Sequence, residues 1–548
     1  MIFCLSTSIG DGIAAAAAVT VSTVYGNIEG FEYETLNGFK SDVFLGIPFA
    51  KPPVGELRYE KPVPVEPWNT TLSATAYKSQ CATFTYSSSQ SEDCLYLNIM
   101  RPSTPSTDPR GYPVAVWIHG GGFITGSASL TAPYEYTVQN LVSRGMIFIS
   151  TNYRLGPFGF YSNGDKNAPG NNGLWDLYEA LKFVNKVIGN FGGNAKRVTI
   201  FGQSAGAACV SYLSLKPEAK KLFSQSIQMS GGFQGLWAQG DDVIASTKKL
   251  NTFLGCDTAE NPKNCAKNFT LAETQTALQS FINPIPGFGS RVNDPDISFF
   301  NPRFDGEFIE AKTFEKAIKH APKRTQMFGT NSQEIAGYSR YPANFSYYLP
   351  IPYWKFKNFT TNDFSEYVAK LYGTEEAYGN NKQDATEKIV NWYLDNAIYT
   401  HDIPLQSYGQ IVSDLYFTVP QRREAKAKTK SGNDVYFYKY SYVPTAYRDP
   451  QNDGAQHSTE LRNLFNFTTD PEWAAVQQTF IDLYVSFIKT GKPTTNGITW
   501  PAVNKRAVPY LDINVNTTIG QDLWPEREAF WNKMAKKYDF DWSSRMHV

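Results

Sequence analysis

Several things are scarce in this sequence. Basic and acidic side chains number 51 each among 548 residues, so the chain has no net charge at pH 7. A nucleic-acid binder would show a basic excess or stripe, and this balance argues against one. No run of about 18 apolar residues occurs, so no membrane-spanning helix is predicted. There are six cysteines and no C-x-x-C spacing, which disfavours zinc and thioredoxin-type chemistry. Only five histidines are present, so a catalytic histidine has few candidates. What abounds is apolar and aromatic side chains, 42% and 15% of residues, enough for a large core and too many for a disordered chain.

Residues 1–18 begin apolar and end in small side chains, as a secretory signal does, yet they lack a basic opening and carry Asp11. They are read as a signal or unstructured leader, residues 19–542 as one α/β domain, and residues 543–548 as a tail. Ser544 to Val548 match neither an ER-retention nor a peroxisomal signal. Cys81 with Cys94, and Cys256 with Cys265, each bracket a short polar loop, so two disulfides are expected with Cys209 left as a buried thiol. Glycosylation sequons stand at Asn69, Asn268, Asn344, Asn358, Asn466 and Asn516. These features favour the secretory pathway or an extracellular or lumenal location.

No linker, repeat or charge block divides the chain. Val114–Ile118, Met146–Ser150 and Val198–Phe201 are short apolar runs that read as buried strands. Asp176 to Ile188 has helical spacing and is expected to stop at Gly189, and Ala474 to Thr490 reads as a second helix. Strands alternating with helices of this length imply a mostly parallel sheet covered on both faces.

Three segments carry chemistry. Gly202-Gln203-Ser204-Ala205-Gly206 lies between the run ending at Phe201 and a helix-compatible stretch to Leu215. A tight strand-to-helix turn of this type holds a serine in strained backbone, with its hydroxyl lifted above the sheet, and needs glycines where side chains would clash. The second segment, His119-Gly120-Gly121-Gly122, follows the strand ending at Ile118. Its glycines allow N–H groups to converge on one point, so Gly121 and Gly122, with Ala205 after the serine, are the expected oxyanion donors. No G-K-[ST] follows, which argues against a phosphate loop. The third component is a base with its acid. In chain order the base follows the serine and the acid, which leaves His401, His457 and His547, since His119 and His320 come too early. Glu334, after the turn Gly329-Thr330-Asn331, and Asp305 are the candidate acids. Spacing favours Glu334 and His457 and leaves the others open.

Phe191-Gly192-Gly193 followed by Val198 through Gly206, together with Glu92-Asp93-Cys94-Leu95-Tyr96-Leu97-Asn98, Asn152-Tyr153-Arg154 and Gly173-Leu174-Trp175-Asp176, resemble the signatures of the type-B carboxylesterase/lipase family. That family includes cholinesterases, fungal lipases and the non-catalytic neuroligins. The resemblance runs from about Val19 to Trp542, and the texture near Phe530-Trp531 is similar to invertebrate gut-type carboxylesterases. It implies an α/β-hydrolase fold, with a large, mostly parallel mixed sheet flanked by helices. It also implies a Ser204–Glu334–His457 triad acting on uncharged carboxylic esters without metal or organic cofactor. A monomer or weak homo-oligomer is expected. The resemblance further implies buried ion pairs Arg58–Glu92 and Arg154–Asp176, a supporting Ser230, and Trp237 as a wall of the acyl pocket. Three departures matter. Gln203 stands where many relatives have Glu, Ile335 replaces the glycine that commonly follows the acid, and only residues Ala82 to Asp93 separate Cys81 from Cys94. That loop is too short for a lipase lid and has no tryptophan for a choline ester. A hormone-ester hydrolase shares Gln before the serine and is the nearer alternative. A neuroligin-like adhesion protein is disfavoured because all three triad positions are filled.

Overall fold

In the strand Tyr112–Ile118 every residue from Val114 to Ile118 is buried, and the side chains alternate between two cores. Val114, Val116 and Ile118 enter one, and Ala115 and Trp117 the other. That is the period-2 signature of a strand covered on both faces. The computed structural model describes residues 17–282, 299–335, 351, 353–448 and 454–547. Cys4, Asn344 and the leader up to residue 16 lie outside the described residues.

Among the described residues, twelve strands form one continuous path. They are β1 (Ala18–Thr23), β2 (Gly26–Glu34), β3 (Lys40–Pro48), β4 (Tyr96–Pro102), β5 (Tyr112–Ile118), β6 (Ile147–Thr151), β7 (Gly193–Gln203), β8 (Gln225–Met229), β9 (Thr325–Asn331), β10 (Asp434–Tyr440), β11 (Tyr510–Ile513) and β12 (Thr518–Gly520). Their order across the sheet is β1-β2-β3-β4-β6-β5-β7-β8-β9-β10-β11-β12. From β6 to β11 each pair is parallel. Both flanks are antiparallel. The chain leaves β5 to one side for β6 and returns on the other side for β7. In open α/β sheets, such a reversal leaves a crevice at the carboxyl ends of the strands where ligands bind. The glycine turn leaves β5 and Ser204 follows β7, so both lie at this crevice.

The helices Asn172–Val187 and Ala205–Leu215 pack on one face of the sheet and Pro471–Thr490 on the other. The helix expected to stop at Gly189 runs on through a tight turn, Ile188–Phe191. It is ended by Gly192 at φ 81°, the left-handed conformation that glycine adopts without penalty. Asp470 caps the helix Pro471–Thr490 by accepting the Trp473 N–H, and Gly491 ends it. Cys81 is bonded to Cys94 and Cys256 to Cys265, and Cys209 is a buried free thiol.

Candidate active site

Ser204 joins β7 to the helix Ala205–Leu215 with φ 57° and ψ −124°, a conformation that a residue with a side chain rarely adopts. Neighbouring backbone holds it there. The Ser204 N–H donates to Met229 O of β8 at 2.9 Å, and Ser204 O accepts from the Ala208 N–H at 3.0 Å. The flanking glycines are required by contact. A Cβ on Gly202 would lie 2.6 Å from the Gly206 backbone, and one on Gly206 would overlap the Ile118 carbonyl oxygen.

On the adjacent strand, the turn after β5 carries Gly121 at φ 114° and Gly122 at φ 62°. Gly121 O accepts from the N–H groups of Ile124 and Thr125, which tightens the turn. Among the described residues neither the Gly121 nor the Gly122 N–H meets an acceptor. The Ala205 N–H opens its helix and belongs to the first-turn donors that a helix leaves unsatisfied. His119 is fully buried and stacks on Tyr153 at 4.6 Å, and burial pushes its pKa down to about 4. It is a neutral structural ring.

The candidate acid and base come from two loops zipped together by backbone hydrogen bonds. The Gln333 N–H donates to Ala455 O at 2.9 Å and the His457 N–H to Glu334 O at 2.8 Å. Ser332 Oγ accepts the Ala455 N–H at 2.9 Å. This pairing sets His457 Nδ1 2.7 Å from Glu334 Oε2. The other carboxylate oxygen, Oε1, accepts from Thr330 Oγ1 at 2.9 Å and from the Asn331 N–H at 2.7 Å. Glu334 is 1% exposed, His457 5% and Ser204 8%, so the three side chains lie out of bulk water, where hydrogen bonds and charges are less screened. With Nδ1 facing a carboxylate, the ring proton sits on Nδ1 and Nε2 is an acceptor. The Gln203 amide meets Nε2 at 3.2 Å and also donates to Ser458 Oγ at 2.8 Å. His457 is thereby tied to the residue immediately before Ser204.

The remaining candidates fall elsewhere. Asp305 Oδ1 accepts three successive N–H groups, those of Glu307, Phe308 and Ile309, as a turn residue does. His320 and His547 bond backbone carbonyls at exposed positions, and His401 lies beside Thr400. Both expected ion pairs are present and buried, Arg58–Glu92 and Arg154–Asp176, each at 2.6 Å. Ser230 has φ 48°, and its Oγ lies 3.4 Å from Asn331 Nδ2, beside the acid loop. Trp237 is 1% exposed, between the rings of Phe123 and Phe417.

The sequence pattern of the Carboxylesterase family matches residues 17–531. The chain belongs to the carboxylesterase family. It is 34% identical to gut esterase 1 of Caenorhabditis briggsae over 556 residues, covering 96% of this chain and 95% of that protein. Gut esterase 1 of Caenorhabditis elegans is 33% identical, with the same coverage. The liver carboxylesterase of Sus scrofa is 30% identical over 560 residues, covering 95% of this chain and 94% of its own length. The family assigns an α/β-hydrolase fold, which the twelve-strand path matches, and makes this chain a carboxylic ester hydrolase.

Three features of this carboxylesterase were not legible in its sequence. The Gln203 amide lies on His457 Nε2, whereas sequence comparison registers only a missing charge. Glu460 is buried, with Oε2 accepting from Asn331 Nδ2 at 2.6 Å and Oε1 meeting no donor among the described residues. Burial first, and then the Glu334 charge, push its pKa up to about 8. The Phe417 ring lies 4.5 Å from the His457 ring. A carboxyl three positions after a histidine, in Gln456-His457-Ser458-Thr459-Glu460, is the one faint signal in the sequence.

Proposed function

We propose that this carboxylesterase cleaves uncharged esters through an acyl-enzyme on Ser204, with His457 as general base and acid, and Glu334 as the residue that orients it. The reading is carried by the buried Glu334–His457 pair, held by paired backbone and tied through Gln203 to the Ser204 turn. Ser204 Oγ attacks the ester carbonyl carbon and its proton passes to His457 Nε2. The carbonyl π pair moves to oxygen, and the N–H groups of Gly121, Gly122 and Ala205 receive the oxyanion; losing one such donor typically costs about 3 kcal/mol. The C–O bond to the alcohol then breaks, and Nε2 returns the proton to the departing oxygen. Water repeats the sequence on the acyl-enzyme and releases the acid. Glu334 remains ionised and stabilises the imidazolium formed at each stage. The Gln203 N–H that rests on Nε2 gives way when the nitrogen takes the proton.

The preference for uncharged esters is supported by the Phe417 ring beside His457, with Trp237 and Phe123 in a row behind it, and by the absence of tryptophan between Cys81 and Cys94. A secretory-pathway location is supported by the two disulfides, which persist in oxidising compartments. Ser204→Ala tests the mechanism. Hydrolysis of short-chain nitrophenyl esters is expected to fall by at least about a thousandfold. Near-wild-type turnover would refute the assignment.

A further inference from the structure

We propose that Asn516 carries an N-linked glycan, which covers the open edge of the sheet and keeps two copies of the chain from pairing there; this rests on the secretory-pathway reading above. β12 (Thr518–Gly520) is the last strand of the path and pairs with β11 in antiparallel fashion without a register shift. Among the described residues no strand lies on its other side. At the opposite end of the sheet, β1 lies beside the tight turn Ile188–Phe191. An edge strand turns unpaired N–H and C=O groups outward, and a second chain can add a strand to them. Proteins guard such edges with a lysine, a proline, a bulge or an inward charge. Here residues 513–521 hold no charged side chain and no proline. Ile513, Val515, Thr517, Thr518 and Ile519 are β-branched, which favours extended pairing. Val515 is 51% exposed and Ile519 43%, so the edge also offers apolar surface. The shortness of β12 is the one backbone guard, and the sequon stands directly before it.

Asn516-Thr517-Thr518 lies on the turn from β11 to β12 and has threonine, not proline, at its middle position. Its neighbours shape that turn. Asn514 Oδ1 accepts the Val515 N–H at 2.9 Å, and Thr517 Oγ1 donates to Asn514 O at 3.2 Å. Asn516 takes no part in these bonds, and both Asn516 and Thr518 are exposed. A glycan on Asn516 therefore costs the turn none of its hydrogen bonds. In the transfer, the Asn516 amide nitrogen bonds to the anomeric carbon of a lipid-diphosphate-linked oligosaccharide. The carbon–oxygen bond to the diphosphate breaks, and the amide gives up one proton. The product is a bulky, hydrated group that begins beside the first residue of β12. It fills the space that a strand from a second copy would need, and so supplies the guard that residues 513–521 lack.

The test expresses the full chain in eukaryotic cells, once as it stands and once behind a cleavable secretion signal. Peptide-N-glycosidase in heavy-oxygen water converts each glycosylated asparagine to a mass-labelled aspartate, and peptide mapping of the exported protein should find that label at Asn516. Asn516→Gln and Thr518→Ala each remove the sequon, and light scattering should give either purified variant a higher mass than the wild type, at a dimer or above. Thr518→Ser keeps the sequon and should match the wild type. Adding Ile519→Lys to Asn516→Gln puts a charge on the strand and should restore the wild-type mass. Asn268→Gln removes another exposed sequon, at the end of the helix Pro262–Lys267, and should leave the mass unchanged. Turnover of short-chain nitrophenyl esters, expected to be equal in all of them, reports folding. A bare Asn516 in exported protein overturns the proposal. So do sequon variants that keep the wild-type mass, or a lysine that restores nothing. A chain that stays in the cytosol without the added signal rejects the secretory reading and the proposal with it, whereas export with Asn516 bare rejects the glycan alone.

Discussion

Replacing Glu460 by glutamine should convert a pH-sensitive buried carboxyl into a pH-insensitive isostere. The side chain is 1% exposed, with Asn331 Nδ2 2.6 Å from Oε2 and Glu334 as its nearest charged influence. Its pKa is pushed from the ordinary 4.5 to about 8, by burial first and by the Glu334 charge second. Between those two values the folded protein holds a proton that the unfolded chain has released. Stability therefore falls as pH rises from about 4.5 and levels off above about 8. At about 1.4 kcal/mol per pH unit, the full span amounts to roughly 5 kcal/mol, and pH 6 to 8 covers about half of it. Other groups titrate in this range, so the informative quantity is the difference between wild type and Glu460→Gln. Urea unfolding midpoints measured at half-unit steps from pH 5.5 to 8.5 supply it. The variant should gain on the wild type steadily with pH, and the gap should stop widening above pH 8. A difference independent of pH would refute the reasoning, because it would mean that Glu460 keeps one charge state throughout.

Other perturbations reach the remaining parts of the account. Gln203→Glu puts a carboxylate on His457 Nε2 in place of an amide, and the acid limb of the kcat/KM profile should move up by about one pH unit; an unchanged limb would mean that Gln203 does not face the base in solution. Gly206→Ala drives a Cβ into the Ile118 carbonyl, and the purified variant should lose ester hydrolysis or fail to fold, whereas full activity would contradict the geometry of the turn. Peptide mapping after alkylation should find Cys81, Cys94, Cys256 and Cys265 modified only after reduction, and Cys209, whose thiol burial pushes up, modified only after unfolding.

The parts of this molecule legible from its sequence are those dictated by local backbone demands. Gly202 and Gly206 announce the serine turn because no other residue fits beside Gly206 O and Ile118 O. The runs Val114–Ile118 and Val198–Phe201 announce buried strands because both faces are covered. Each strand nevertheless extends past its apolar run, since Tyr112 pairs with Gly193 and the register shifts across residues 194–197 before Val198 meets Val114. The helix expected to end at Gly189 continues to Gly192, because a tight turn can absorb a glycine that the chain does not need in left-handed geometry. Glu334 and His457 stand 123 positions apart; spacing favours them and the family resemblance implies them, while the hydrogen bond that joins them is a long-range contact that no local pattern shows. The contacts of Gln203 and Glu460 span a similar or greater range. No local pattern encodes these.

The central claim is that Ser204 is the nucleophile and that His457 activates it. Its most direct test is mass mapping of the residue that carries the adduct after reaction with a fluorophosphonate, in wild type and in His457→Ala. The account predicts a single adduct on the peptide bearing Ser204 in the wild type and labelling slowed by at least about a thousandfold in the variant. An adduct on any other residue, or undiminished labelling without His457, would contradict it.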